Sequence, residues 1–70
     1  MNIRFNSEFV NVMPPMSLLA FLQSQIDNCE VVLARSVVAV NQQLVPNHNF
    51  GQYELQDKDD VELLTAVVGG

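Results

Sequence analysis

The residues of this sequence that could do chemistry stand at its carboxyl end, where Thr65-Ala66-Val67-Val68 runs into Gly69 and Gly70. Glycine has no Cβ, so a Gly-Gly segment lies flat and passes through a slot too narrow for side chains. The pattern predicts a slim tail that delivers the Gly70 carboxylate, with Val67, Val68 and Gly69 forming the part that threads such a slot. A frayed end without a role is the alternative explanation, since chain termini are often disordered.

The other chemically capable residues do not form a catalytic or metal-binding group. Cys29 is the only cysteine, which excludes an internal disulfide and a cysteine-only iron–sulfur or zinc site. No basic residue stands beside it in sequence, so a small buried hydrophobic group is a better interpretation than a reactive thiol. His48 has no second ligand near it, which favours a surface loop histidine. The sequence therefore predicts no bound metal or cofactor, and a protein that is not itself an enzyme.

Length and composition indicate a small acidic protein. Its 70 residues predict one domain, residues 1–70, and an apolar content of 49% is enough to build a core. The net charge is −5, from eight acids against three bases, whereas phosphate binding depends on clustered Lys and Arg. We therefore expect no nucleic acid and no membrane among its partners. No apolar run approaches the roughly 18 residues of a membrane span, and a cytoplasmic location is expected.

An acidic segment comes just before the last apolar stretch of the chain. It contains Asp57, Asp59, Asp60 and Glu62. A cluster of this kind can be a plain solvated turn, or it can steer the approach of a partner whose surface is basic. The sequence leaves both interpretations open.

Alternation of apolar and polar residues predicts strands before and after one helix. We expect strands near residues 1–6, 9–13, 37–41, 44–46 and 61–67, with hairpin turns at Asn6-Ser7-Glu8 and Asn41-Gln42-Gln43. Pro14 and Pro15 should end the second strand because proline cannot donate a ladder hydrogen bond.

The helix is predicted from about residue 18 to residue 27. Ser17 stands at its N-cap position, and apolar residues then recur at spacings of three and four, which gives one face to lie on the sheet. Residues 29–36 could form a strand, a helical extension or a buried connection, and these alternatives stay open. The predicted core comprises Ile3, Phe5, Val10, Leu18, Leu22, Ile26, Val38, Val40 and Leu63, and Phe50 is expected to tuck under the sheet.

This order of elements predicts an α+β fold, a mixed sheet of about five strands with one helix packed on one face. The order, the segment Asn41-Gln42-Gln43-Leu44-Val45-Pro46, the acidic turn before Val61-Glu62-Leu63-Leu64 and the Gly69-Gly70 end together resemble the ThiS family. These are the ubiquitin-like β-grasp sulfur carriers of thiamin biosynthesis. The resemblance covers nearly the whole chain, and its one departure is a connection at residues 28–36 that looks a few residues longer than usual.

The resemblance implies a mechanism centred on Gly70. An E1-like adenylyltransferase of the ThiF type would use ATP to adenylate the Gly70 carboxylate. Sulfur from a donor such as a cysteine desulfurase system would then replace one oxygen, and a thiazole synthase of the ThiG type would take that sulfur from the thiocarboxylate. The chain would be a recycled co-substrate, and the nucleotide site would belong to its partner.

Two alternative functions remain open from the sequence. The small subunit of molybdopterin synthase shares this fold and the Gly-Gly thiocarboxylate, although its members tend to be longer. A ubiquitin-like interaction module would instead bind through its sheet and do no chemistry. A reactive Gly70 carboxylate distinguishes both carriers from such a module.

Overall fold

The computed structural model of the protein describes residues 1–65, and residues 66–70 lie outside the described part. The described elements comprise five strands, two helices and one 3-10 turn. In chain order they are β1 (Asn2–Phe5), β2 (Glu8–Asn11), α1 (Leu18–Gln25), α2 (Cys29–Leu33), β3 (Ser36–Val40), β4 (Gln43–Val45), the 3-10 turn (Asn47–Asn49) and β5 (Asp60–Thr65). Strand ends differ from the predicted ones by a residue or two, and the predicted extension of the last strand to residue 67 lies partly outside the described residues.

The strands form one mixed sheet with β5 at its centre. Their order across the sheet is β2-β1-β5-β3-β4. β5 pairs parallel with β1 and antiparallel with β3, while the β1–β2 and β3–β4 pairs are antiparallel hairpins. The predicted α+β fold with a mixed five-stranded sheet is confirmed. The last strand of the sequence is thus supported on both sides.

Both hairpins turn through two residues in the left-handed region. Asn6 and Ser7 have φ values of 47° and 74°, and Asn41 and Gln42 have φ values of 52° and 68°. Two consecutive positive φ values characterise the turn whose twist matches the right-handed twist of the paired strands. The turns therefore set the register of the hairpins, and the predicted turn at Asn41 is confirmed.

Helix α1 begins where the sequence predicts and ends two residues early. Ser17 is its N-cap, and the Ser17 Oγ accepts a hydrogen bond of 3.0 Å from the Ala20 amide. At the other end Ile26 adopts an extended backbone while its amide still donates to the Leu22 carbonyl. Because Ile26 leaves the helix, it is only half-buried, and the predicted helix end at residue 27 is wrong.

The connection that the sequence leaves open contains a second, short helix. Asn28, with a φ of 53°, reverses the chain direction before α2 begins at Cys29. The helix packs against β3 and buries Leu33 in the core. The segment is therefore helical, but it forms a separate helix, which differs from the extension of α1 that was one of the three alternatives.

The core lies between α1 and the sheet. Its buried apolar residues are Ile3, Leu18, Phe21, Leu22, Leu33, Val38, Ala39, Val40, Phe50, Leu55 and Val61. Phe50 is buried as expected. Four residues predicted in the core lie instead at its margin and are half-buried, namely Phe5, Val10, Ile26 and Leu63. At that margin the Phe5 ring meets Phe21 edge-on, with centroids 5.5 Å apart.

Candidate functional site

The end of β5 is the point from which the carboxyl-terminal tail departs. Thr65 pairs with Ser36 of β3, and the Thr65 Oγ1 lies 3.1 Å from the Ser36 Oγ. The Ser36 hydroxyl also contacts the Val32 carbonyl at the end of α2. The base of the tail is therefore tied to both β3 and α2. The predicted tail residues Val67, Val68, Gly69 and Gly70 lie outside the described residues.

The strand that carries the tail presents two different faces. Val61 and Leu63 of β5 point into the core, so Asp60, Glu62 and Leu64 lie on the other side of the sheet, away from α1. We call this side the open face. Register places Val37 and Ala39 of β3 on the same face, opposite Leu64 and Glu62 respectively, and Leu44 of β4 opposite Ala39.

Three exposed apolar side chains form a patch on the open face beside the tail. Val37, Leu44 and Leu64 are 51%, 70% and 58% exposed, and we call them the tail-side patch. A hollow of about 450 Å³ lies at the patch edge, lined by residues 34–37 together with Leu64 and Thr65. Exposed apolar patches are common where proteins bind partners, so the tail-side patch is a candidate interaction surface.

The acids that the sequence proposes for docking separate into different positions. Asp60 and Glu62 lie half-buried on the open face. Asp57 is exposed, but its Oδ1 accepts a hydrogen bond of 2.7 Å from the Asn2 amide. Asp57 therefore fastens the turn at residues 56–59 to β1, whereas Asp60 and Glu62 face the side on which a partner would dock.

Asp59 does not fit the docking hypothesis. It is only 7% exposed, and both of its carboxylate oxygens accept hydrogen bonds inside the fold. Oδ1 accepts from the Asn41 amide side chain at 3.0 Å, and Oδ2 accepts from the Gln56 backbone amide at 2.8 Å. These bonds hold the second hairpin against the acidic turn. Asp59 is therefore a structural residue, and its carboxylate is not available to a docking partner.

Cys29 and His48 do not line the hollow beside Leu64 and Thr65. Burial raises the pKa of the Cys29 thiol above its usual value, and the neighbouring Glu30 carboxylate raises this pKa further. The raised pKa favours the protonated thiol, which is a poor nucleophile. His48 is exposed on the 3-10 turn. Across residues 1–65, no three His, Cys, Asp or Glu side chains are grouped so as to hold a metal ion.

The helices of the described chain give no indication of a membrane span. None of those within residues 1–65 is both long and apolar enough to cross a bilayer.

The sequence analysis does not predict the tail-side patch, although the sequence contains a signal for it. Val37-Val38-Ala39-Val40 is a continuous apolar run rather than an alternating one. Neighbouring residues of a strand point to opposite faces, so such a run requires apolar side chains on both sides of the sheet. With one helix available to cover one side, this signal could have identified the open face as an apolar surface.

Comparison with known proteins identifies the family and the fold. A family model described as the ThiS family matches residues 3–70. The crystal structure of a thiamine biosynthesis protein (ThiS) from Geobacter metallireducens is similar over 100% of both chains, with a TM-score of 0.78 and 23% sequence identity. At that identity the likeness shows a shared fold. No curated protein matches the chain.

Proposed function

This chain belongs to the ThiS family, and from that membership we propose that it is a sulfur carrier for thiazole formation in thiamin biosynthesis. The observation that carries the proposal is the extent of the family match, which runs through Val67, Val68, Gly69 and Gly70. The similar structure belongs to a protein whose name places it in thiamine biosynthesis. The protein acts as a co-substrate rather than as a catalyst.

The proposed chemistry takes place at the Gly70 carboxylate in the active site of a partner. A carboxylate is a poor electrophile, so an E1-like adenylyltransferase of the ThiF type first joins it to the α-phosphorus of ATP and releases pyrophosphate. A thiol reductant releases hydrosulfide from the persulfide of a donor such as a cysteine desulfurase system, forming a disulfide, and the hydrosulfide then attacks the acyl carbon. The C–O bond breaks, one oxygen leaves with AMP, and Gly70 carries a thiocarboxylate for a thiazole synthase of the ThiG type.

The chain's own contribution is to present its tail and to dock. Thr65 pairs with Ser36 of β3 and its Oγ1 lies beside the Ser36 hydroxyl, so the tail starts from a strand end that is held by β3. Gly69 and Gly70 add no side chains that would obstruct a narrow slot. The tail-side patch stands beside this point, and Glu62 next to it suits a partner with an apolar contact surrounded by bases.

The first prediction tests the tail directly. Changing Gly69 to Val, or adding one residue after Gly70, should abolish ATP-dependent adenylation, because the slot tolerates no side chain and the carboxylate must reach the α-phosphorus. The measurement is formation of the acyl adenylate with the cognate E1-like enzyme. Intact mass then reports replacement of one oxygen by sulfur, and transfer to thiazole synthase completes the assay.

A glycine far from the tail provides the control for this prediction. A Cβ at Gly51 would meet only the Leu19 Cδ2, at 3.8 Å, so Gly51→Ala should be adenylated like the wild type. If the unmodified chain gains no sulfur with enzyme, ATP and donor present, the carrier proposal is wrong and a binding module without chemistry takes its place. If the sulfur passes only to the large subunit of molybdopterin synthase, the carrier belongs to that pathway instead.

A further inference from the structure

Two of the three basic residues of this acidic chain lie at one end of the open face. Arg4 and Lys58 line the same hollow, of about 470 Å³, together with Asn2, Phe9 and Asp60. The third base, Arg35, lines the separate hollow beside the tail. In a chain with a net charge of −5, this pairing of cations is the clearest local departure from the overall acidity.

The positions of both cations are set by the backbone. Arg4 stands between Phe9 of β2 and Asp60 of β5 in the strand register. The Lys58 amide donates to the Asn2 carbonyl at 2.7 Å, which holds the turn at residues 56–59 against β1. Arg4 and Lys58 therefore flank the hollow at defined points, and little backbone entropy is lost when an anion binds between them.

Lys58 occupies a backbone position that does not favour lysine. Its φ is 71°, in the left-handed region that Gly and Asn adopt most readily. A residue with a Cβ is strained at such a φ, so the local backbone gives no reason for lysine there. The side chain supplies a reason, because it adds a second positive charge to the hollow.

Phe9 adds an apolar contact to the same hollow. It is 79% exposed on the edge strand β2, and the register sets it directly opposite Arg4. Exposed aromatic residues next to arginine are enriched where proteins bind other proteins. We call Arg4, Phe9 and Lys58 the cationic corner.

We propose that the cationic corner binds a carboxylate-bearing segment of the adenylating enzyme, with an apolar side chain of that segment packed on Phe9. This inference rests on the proposed function and adds a second contact to it. Charge complementarity identifies the occupant: Arg4 and Lys58 outnumber Asp60, the one acid that lines the hollow, and therefore favour a carboxylate, whereas the acidity of the rest of the chain repels a nucleic acid.

The corner and the tail-side patch together fix the direction in which the partner docks. Asp60 at the corner and Leu64 at the patch are four residue steps apart along β5, which corresponds to roughly 13 Å. One end of the open face is basic, while the other is apolar with Glu62 beside it. A partner with matching charges can bind in one orientation, and that orientation directs the tail into its slot.

The test removes both cations and measures docking apart from chemistry. Arg4→Gln with Lys58→Gln should raise the KM for the carrier about fivefold or more in low salt, leave kcat unchanged, and lose most of this effect in high salt. The control pair is Gln23→Glu with Gln52→Glu, which changes the net charge by the same two units. Both glutamines are exposed on the α1 side of the molecule, and this pair should behave like the wild type.

Phe9→Ala separates the apolar contact from the charges. It should raise KM by a factor that does not depend on salt, because the lost contact is not ionic. Equal KM values for the Arg4/Lys58 variant and its control would overturn the inference even while the wild type gains sulfur. The proposed function fails on different evidence, namely a wild-type tail that takes up no sulfur.

A binding experiment tests the corner without any enzyme. A synthetic peptide of glutamate and leucine residues, titrated into isotope-labelled protein, should shift the backbone NMR signals of Asn2, Arg4, Phe9 and Lys58 first. Signals that move elsewhere, or no shifts at all, would overturn the proposal. Binding of an oligonucleotide at the corner in place of the peptide would also overturn it, since it would assign the site to phosphate.

Discussion

At the scale of single residues, Asp59 shows how a surface hypothesis can hide a structural role. Its sequence neighbours Lys58 and Asp60 are charged and at least partly exposed, yet the Asp59 carboxylate is buried and joins two segments that are distant in sequence. Asn41 completes this connection, because its Oδ1 accepts from the Asp60 amide at 3.0 Å. The acidic turn and the second hairpin thus form one hydrogen-bonded unit.

Removing the Asp59 carboxylate should therefore destabilise the protein. Asp59→Ala leaves the Gln56 amide and the Asn41 side chain without their acceptor, which should lower the free energy of unfolding by about 1–3 kcal/mol. Chemical denaturation monitored by circular dichroism measures this loss. Asp27→Ala, at an exposed carboxylate after α1, should change stability by less than about 0.5 kcal/mol. Equal stability of the two variants would show that the Asp59 bonds contribute nothing.

At the scale of elements, the sequence predicts those features that depend on a few neighbouring residues. Ser17 caps α1, and Asn41 allows the left-handed turn, because each depends on one side chain and its immediate neighbours. Helix α2 was not predicted, since its five residues carry a pattern too short to distinguish a helix from a strand. Phe21 is buried but is absent from the predicted core, because its burial depends on contacts such as the Phe5 ring.

The helix face can be tested at Leu22. This side chain is fully buried, so Leu22→Ala should leave a cavity and cost about 2–5 kcal/mol in the free energy of unfolding. The adjacent Gln23 is exposed, and Gln23→Ala should be nearly neutral. Denaturant titration of the two variants measures the difference. A loss near zero for Leu22→Ala would mean that the face assigned to the core is wrong.

At the scale of the whole molecule, the distribution of charge on the open face defines how the protein would meet a partner. The tail stays a prediction from Gly69-Gly70, which lie outside the described residues. The tail-side patch and the cationic corner could not be predicted, since Val37 meets Leu64, and Arg4 meets Phe9, only through strand register. Some features of the candidate site thus depend on residues adjacent in sequence, and others depend on which strands pair in the sheet.

The acidic part of the open face gives a prediction about association. Glu62→Lys should slow association with the adenylating enzyme several-fold in low salt and less in high salt, because it removes a charge that attracts bases on the partner. Stopped-flow or surface-binding kinetics provide the rates. Asp27→Lys makes the same change of charge at an exposed site after α1 and should leave association nearly unchanged. If the two variants associate equally fast, Glu62 is a solvated side chain without a docking role.

The central position of β5 has a mechanical consequence. A partner that draws the tail into its slot pulls along the axis of β5, whose backbone is bonded to β3 on one side and to β1 on the other. Because β1 runs parallel to β5, tension between Met1 and Thr65 loads the β1–β5 hydrogen bonds together in shear instead of opening them one after another. The strand that would present the reactive end is therefore also the strand whose hydrogen bonds resist unfolding when the tail is pulled.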